Sequence, residues 1–513
     1  MDVGDYRLGS PGPEAPGGIG PRLRRLPLLT VVPAAVAALC VGVAGAGLYA
    51  VSALSGGGTQ PEDVLPRDAI GFVKIDLDPS ADQKIAAYQL AKKFPDSGVK
   101  GEDQLRDGLV GAFLAPGDQA AYDADVKPWL GQRAGVAFLA PDRSAPDAPG
   151  AVAAVQVTDR AEAERGLTHL AESGQVHYAF GEDDDYVLLA DRQDVADAAA
   201  KGEEHLADAE AFSAAVDALD GDQIALAWAD VGAAWKTLPA AQRKQAQRAN
   251  PGLAPTGTVA LGGHVTDDGL EIVGVTLGLS AGSAPELKAV VENPLGRSDP
   301  EGLVEDLPAD SLGALGITGA GEGLATLYET LAAEADPDGE AEAFFGELGL
   351  RLPADLMTVL GTELAAAVGG DLAGGAPRFQ ASVRTEDPDR ALQLLTRARD
   401  AAAKEGGQAP DVQLSPSDDG YTVSSGTGAS EDRLGDDEVF RRTLPDAGSS
   451  GITLYVDLRR AVEQVDAADR QSGTSSISEQ QRRNLAPLQA AGCTSTVDEG
   501  GNATFRLRLT VEE

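Results

Sequence analysis

An order-preserving internal repeat constrains this chain more than any other feature. Leu65-Pro66-Arg67-Asp68-Ala69-Ile70-Gly71 returns 242 positions later as Leu307-Pro308-Ala309-Asp310-Ser311-Leu312-Gly313. Asp125-Val126 with Leu130-Gly131 returns as Asp355-Leu356 with Leu360-Gly361, at an offset of 230. Leu206-Ala207-Asp208 with Glu210 and Phe212 returns as Leu434-Gly435-Asp436 with Glu438 and Phe440, at 228. Ala227-Trp228-Ala229-Asp230 matches Leu454-Tyr455-Val456-Asp457 at 227. One such match is unremarkable, but four in the same order, with a slow drift of the kind loop insertions produce, point to duplication. The repeat predicts two homologous modules, 62–290 and 304–513, joined by a turn-rich linker at 291–303 that contains Asn293-Pro294-Leu295-Gly296-Arg297-Ser298-Asp299-Pro300.

Within each module, short apolar runs alternate with helical spacing. Ile70–Asp76 reads as a strand, followed by apolar residues at helical spacing from Ile85 to Phe94. Ala134–Ala140 and Ala151–Val157 read as neighbouring strands, and Arg160–Ala171 as a helix with Leu167 and Leu170 inward. Val176–Phe180 and Tyr186–Ala190 form an expected hairpin around Gly181-Glu182-Asp183-Asp184-Asp185. Val259–Val265 and Leu270–Leu279 form another around Asp267-Asp268-Gly269. Ser417-Asp418-Asp419-Gly420 and Glu499-Gly500-Gly501-Asn502 supply turns in the second module. Hairpins interspersed with helices predict the α+β class, with two modules of mainly antiparallel sheet rather than a doubly wound parallel fold.

Ahead of the modules, Leu26 to Leu54 contains no charged residue. At ~1.5 Å per helical residue the run exceeds the ~20 residues that cross a bilayer, so a single transmembrane helix over 26–54 is expected. Arg22, Arg24 and Arg25 precede it, and Glu62 and Asp63 follow. The positive-inside rule then predicts a disordered cytoplasmic tail at 1–25, a tether at 55–61 and an extracytoplasmic remainder in the cell membrane. Ala44-Gly45-Ala46 offers the competing reading of a cleaved signal peptide. Ala34, Ala38, Gly42, Ala46 and Ala50 form a small-residue stripe of the sort that lets two membrane helices approach as a weak homodimer.

The strand Phe72-Val73-Lys74-Ile75-Asp76-Leu77-Asp78-Pro79-Ser80 follows Leu65-Pro66 and leads to Lys92-Lys93-Phe94-Pro95. With the apolar run before it, this pattern resembles the bacterial family catalogued as domain of unknown function 3352, common in actinobacteria, over about residues 60–513. The resemblance implies an envelope protein with an N-terminal anchor. That family has no established activity, so it carries no functional residue to this sequence.

Forty-one Lys and Arg stand against 81 Asp and Glu, a net charge of −40, which argues against a nucleic-acid partner. Acidity instead reads as a solubility device for an exterior domain. Of the two cysteines, Cys40 lies in the middle of the expected anchor and Cys493 near the far end of the exterior part, so they cannot pair within one chain; Cys493 reads as a small buried residue.

Catalytic signatures are incomplete. Gly278-Leu279-Ser280-Ala281-Gly282 fits a nucleophile elbow, but the last histidine, His264, precedes the serine. Ser97-Gly98-Val99-Lys100 has serine–lysine spacing without the companion Lys-Thr-Gly element; Lys236-Thr237-Leu238 is the nearest string. Gly316, Gly319, Gly321 and Gly323 superficially resemble a phosphate loop at the wrong spacing. His169, His177, His205 and His264 lack metal-ligand spacing. Glu182-Asp183-Asp184-Asp185 and Asp336-Pro337-Asp338-Gly339-Glu340 read as solvated turns, with weak Ca²⁺ binding as the alternative. Neither a cofactor nor a metal nor a catalytic residue is assigned. A binding or scaffold module for an envelope protein is the expectation, with a ligand in a cleft between modules. The alternatives are a carrier or sensor of a small apolar, lipid-like ligand, and a hydrolase of unrecognised type.

Overall fold

The computed structural model describes residues 58–94, 122–141, 150–172, 177–181, 184–284, 296, 302–335, 339–406, 412–473 and 475–512. In chain order the strands of the first half are β1 (Gly71–Asp76), β2 (Leu130–Leu139), β3 (Gly150–Val157), β4 (His177–Phe180), β5 (Tyr186–Ala190), β6 (Ala225–Asp230), β7 (Leu253–Thr266) and β8 (Gly269–Gly282). Its helices are α1 (Ala81–Lys92), α2 (Arg160–Glu172), α3 (Gln193–Ala200), α4 (Glu210–Asp217), α5 (Val231–Thr237) and α6 (Ala240–Ala249). The second half adds β9 (Ser311–Thr318), β10 (Glu363–Asp371), β11 (Ala376–Arg384), β12 (Gln413–Pro416), β13 (Gly420–Ser425), β14 (Ile452–Asp457), β15 (Leu488–Val497) and β16 (Ala503–Val511). With them come α7 (Ala320–Ala335), α8 (Glu340–Glu347), α9 (Ala354–Leu360), α10 (Pro388–Gly406), α11 (Glu438–Thr443), α12 (Leu458–Ser472) and α13 (Glu479–Leu485).

All 16 strands belong to one antiparallel sheet, in the order β12-β13-β11-β10-β9-β14-β15-β16-β8-β7-β6-β1-β2-β3-β5-β4. Outward from the β8–β16 pair, one half runs β8-β7-β6-β1-β2-β3-β5-β4 and the other β16-β15-β14-β9-β10-β11-β13-β12. Raising each strand number by eight turns the first series into the second.

The repeated motifs are the points where each half closes on itself. Leu206 N–H donates to the Leu65 carbonyl (2.9 Å), and Leu434 N–H to the Leu307 carbonyl (2.6 Å). Leu65, Leu206, Leu307 and Leu434 are all fully buried. Bridges Pro66↔His205 and Pro308↔Arg433 repeat the same meeting. Phe212 packs edge-on against Trp228 (5.4 Å) as Phe440 does against Tyr455 (5.1 Å). Asp230 and Asp457 cap α5 and α12 by accepting from Ala233 and Arg460 N–H, each at 2.8 Å.

Strand alternation separates the faces. In β1, Phe72 joins the main core with Leu65, Tyr186, Phe212 and Trp228, under α3 and α4. Its counterpart in the second half gathers Leu307, Leu434, Phe440 and Tyr455 under α11. Val73 faces the other way, toward Leu261, Ile272 and Phe505. The long β7–β8 hairpin kinks where Gly257 (φ 97°) and Gly278 (φ 58°) take left-handed backbone that a side chain disfavours.

Two parts of the expected architecture are corrected. The sheets of the two halves are not separate; they join edge to edge into one sheet of 16 strands. The physical reason is that β8 and β16 would each otherwise end its half with a row of unpaired backbone groups. Nor is the single transmembrane helix supported. Residues 26–54, with Arg22, Arg24, Arg25 and the stripe Ala34, Ala38, Gly42, Ala46 and Ala50, lie outside the described residues. Among the described residues no helix is long and apolar enough to cross a membrane. The tail and most of the tether and linker also lie outside them.

Candidate functional site

The seam where β8 meets β16 runs from Thr276↔Ala503 to Gly269↔Thr510. Corresponding residues of the two hairpins here stand 233 apart, as Val273 and Arg506 do, and those two are also partners in the seam. The local two-fold relation therefore passes between them. It carries the pair Glu271↔Arg508 onto Thr504↔Val275. One side of the axis is consequently charged, and the other contributes Val275 to the main core.

On the charged side Glu271 is 2% exposed. Arg508 Nε donates to its Oε2, Arg506 Nη1 lies 3.1 Å from Oε1, and His264 Nε2 lies 3.4 Å from Oε1. Burial opposes ionisation of Glu271, but the bonds from His264 and Arg508 outweigh it and hold the carboxyl at about 2. Arg506 also reaches Asp220 (2.9 Å). At the end of the seam, Thr510 shares a hydroxyl hydrogen bond with Thr443 (2.8 Å). A polar recess of about 440 Å³ nearby is lined by Glu438, Val439, Arg442, Gln489 and Glu512.

A second buried charge network belongs to the first half. Arg133 contacts Asp76 (3.1 Å) and Asp78 (3.2 Å), Lys84 pairs with Asp78, and Lys74 pairs with Glu62 (2.6 Å). Tyr186 Oη donates to the Thr59 carbonyl, and burial pushes its phenol well above the ordinary range. In the second half the register equivalent of the Asp76↔Arg133 pair is Thr318↔Glu363, and Glu363 pairs with Arg384 (2.7 Å). The second half therefore keeps a buried ion pair at this place with different residues, and in both halves the opposite charges neutralise one another.

The face opposite the main core is open over its centre. Phe138, Val368, Phe379, Leu454, Val456 and Leu507 are 39–46% exposed. Register puts them on one face: Val456 and Val368 both oppose Gly313, Val368 opposes Phe379, and Cys493 opposes both Leu454 and Leu507. On the same face α2 covers one flank, with Ala163 and Leu167 against Val187, and α10 the other, with Ala391 against Val383 and Tyr421. α1 packs over the Val265–Leu270 end. At ~4.8 Å per strand, the ten strands from β2 to β10 set those flanks roughly 50 Å apart.

The residues singled out from sequence are scattered. His169 bonds Asp125 (2.8 Å), a contact that raises its pKa, while His177 lies on β4, His205 in the Pro66 bridge and His264 in the seam. Among the described residues no three His, Cys, Asp or Glu side chains could hold a metal ion. Ser280 Oγ accepts from Gly282 N–H (3.1 Å), and its register partner is Thr256 rather than a base. The amides of Gly319, Gly321 and Gly323 donate to Thr362, Gly361 and Gly319, so they cannot cradle phosphate. A Cβ on Gly321 would collide with the Met357 and Gly361 carbonyls; tight packing against α9 explains that glycine. Asp184 pairs with Arg160, and Gly339 precedes α8. Cys493 is half-buried on β15, and burial pushes its thiol up. Ser97, Lys100, Glu182, Asp183, Asp336, Pro337, Asp338 and Cys40 lie outside the described residues. Sequence reasoning missed Glu271 and Arg133, because both sit in strands whose alternation reads simply as polar positions.

The model of a family described as "Protein of unknown function (DUF3352)" matches residues 32–178, under a third of the chain. Within the described residues the match spans β1, β2, β3 and the start of β4. No curated protein and no solved structure matches the chain.

Proposed function

We propose that the chain is a non-enzymatic binding or scaffold module that presents the open face of its joined sheet to a partner protein. The observation that carries this reading is the group of exposed Val368, Phe379, Leu454, Val456 and Leu507 on one face of one continuous sheet, with Phe138 exposed on the same face five strands from Leu507. Large apolar side chains left in water at neighbouring positions mark contact surfaces. The buried acids Asp76, Glu271 and Glu363 support the non-enzymatic part, since each is held by at least one arginine.

The test replaces Leu454 and Val456 by lysine together (L454K/V456K) and compares in-cell crosslinking with the wild-type chain. Loss of crosslinked partner with an unchanged melting temperature supports the reading. Unchanged crosslinking rejects it. Native mass spectrometry is the second arm: an apolar small molecule that copurifies with the wild type, and not with the variant, would replace the partner protein by a carried ligand.

A further inference from the structure

From residue 231 to residue 266 there is no Asp or Glu, in a chain that carries 81 of them in 513 residues. This stretch holds α5 and α6 and the cations Lys236, Arg243, Lys244 and Arg248. Lys236, Lys244 and Arg248 are exposed and Arg243 is half-buried. Among the described residues none of the four side chains has a hydrogen bond or an ion pair, and Arg243 Nε is shielded from water as well. Ala246 anchors α6 against the cluster of Trp235, Leu253 and Ala281. Helical geometry then places Lys244 and Arg248, four residues apart, together on the outward side.

The second half supplies an internal comparison. Gln481-Arg482-Arg483 repeats Gln242-Arg243-Lys244 at the same place, between the helix after the capping aspartate and the next strand. There Arg482 is paired with Asp466 (2.6 Å) and Arg460 with Asp457 (3.2 Å), and Glu463, Asp469 and Glu479 lie in the same two helices. The fold therefore does not require these helices to be uncompensated. A cation near a helix C-terminus is favourable, which accounts for Lys236 and Arg248 but not for Arg243 and Lys244.

We propose that the α5–α6 hairpin is a docking site for a short acidic peptide segment of a partner protein. α6 is about 15 Å long, and exposed charges act over a screening length of about 8 Å at physiological salt. Without the four cations the rest of the chain carries −44, against −40 for the whole. A short run of Asp and Glu stays within the positive field. An anionic bilayer or a nucleic acid extends past the hairpin and meets the acidic remainder. α6 is built of Ala, Gln, Arg and Lys and has no buried residue, so it offers charge and no apolar wedge for a membrane. This surface is distinct from the open sheet face, and either proposal can fail while the other stands.

The test is fluorescence anisotropy of a labelled polyglutamate peptide, about eight residues long, added to the full chain. Saturable binding is expected at about 50 mM salt, weakened about tenfold or more near 300 mM. The variant K236Q/R243Q/K244Q/R248Q should lose it, while K236R/K244R keeps it and R482Q/R483Q leaves it unchanged. The thermal melt of each variant shows that the fold persists. Binding of the peptide by the quadruple variant as by the wild type would overturn the proposal. So would absence of saturable binding at low salt, or tighter binding to phosphatidylserine vesicles or a single-stranded oligonucleotide than to the peptide.

Discussion

Glu271 and Arg508 come from opposite halves of a duplicated chain and pair at the seam that makes two sheets into one. Their counterparts across the two-fold, Thr504 and Val275, make the same backbone pairing without charge. Removing Glu271 alone leaves Arg508 and His264 facing an empty position, while Arg506 retains Asp220. E271A should cost about 3–5 kcal/mol, as loss of one partner of a buried pair does. Copying the uncharged side with E271T/R508V should recover most of that loss, since Arg506 keeps Asp220. Urea denaturation of the wild type and both variants measures it; a double variant worse than E271A would refute the account.

Acid should loosen the same place. The folded Glu271 carboxyl titrates at about 2, below its ordinary 4.5. A depressed folded value means stability that is fully present above about 4.5 and is lost as pH falls toward 2. The gap corresponds to about 3 kcal/mol at most. Urea midpoints of wild type and E271Q should therefore differ by a constant amount above pH 5 and converge below pH 4. A gap that persists unchanged to pH 3 would show that another group governs.

How far these features were legible in the sequence depends on what each residue type encodes. Leu65, Leu206, Phe212 and Trp228 announced themselves by recurring, because the contacts among them close each half and tolerate little change. Asp267-Asp268-Gly269 announced a hairpin because the turn needs those types. The partner of β8 was not legible: edge pairing is written in backbone groups that every residue shares. The joining of the two halves into one sheet was illegible for that reason. The glycines around Gly321 misled in the opposite direction, since close helix packing and phosphate binding both call for a missing Cβ. The basic hairpin was missed because charge taken as a whole-chain total averages away the acid-free interval from 231 to 266.

Gly274 and Phe505 give the seam a second, apolar test. The Phe505 ring lies over Gly274, and a Cβ at that glycine would collide with it. G274V should destabilise by roughly 1–3 kcal/mol through overpacking. In F505A the space is free, so G274V should cost much less there. A double-mutant cycle with a coupling of about 1 kcal/mol or more is the expected result, and additivity would place the ring elsewhere.

If the continuous ladder rather than the covalent linker holds the halves together, cutting the chain should not separate them. A protease site inserted within 291–301 leaves β8 and β16 intact. After cleavage, the fragments should co-elute on size exclusion, because backbone pairing from Thr276↔Ala503 to Gly269↔Thr510 and the Glu271 cluster remain. In E271A the cleaved fragments should separate at lower urea than in the wild type, by the share of stability the cluster supplies. G274V should act in the same direction without any dependence on pH, which separates the apolar contribution from the charged one. Immediate separation of the wild-type fragments in buffer would mean that the linker, not the seam, keeps the sheet whole.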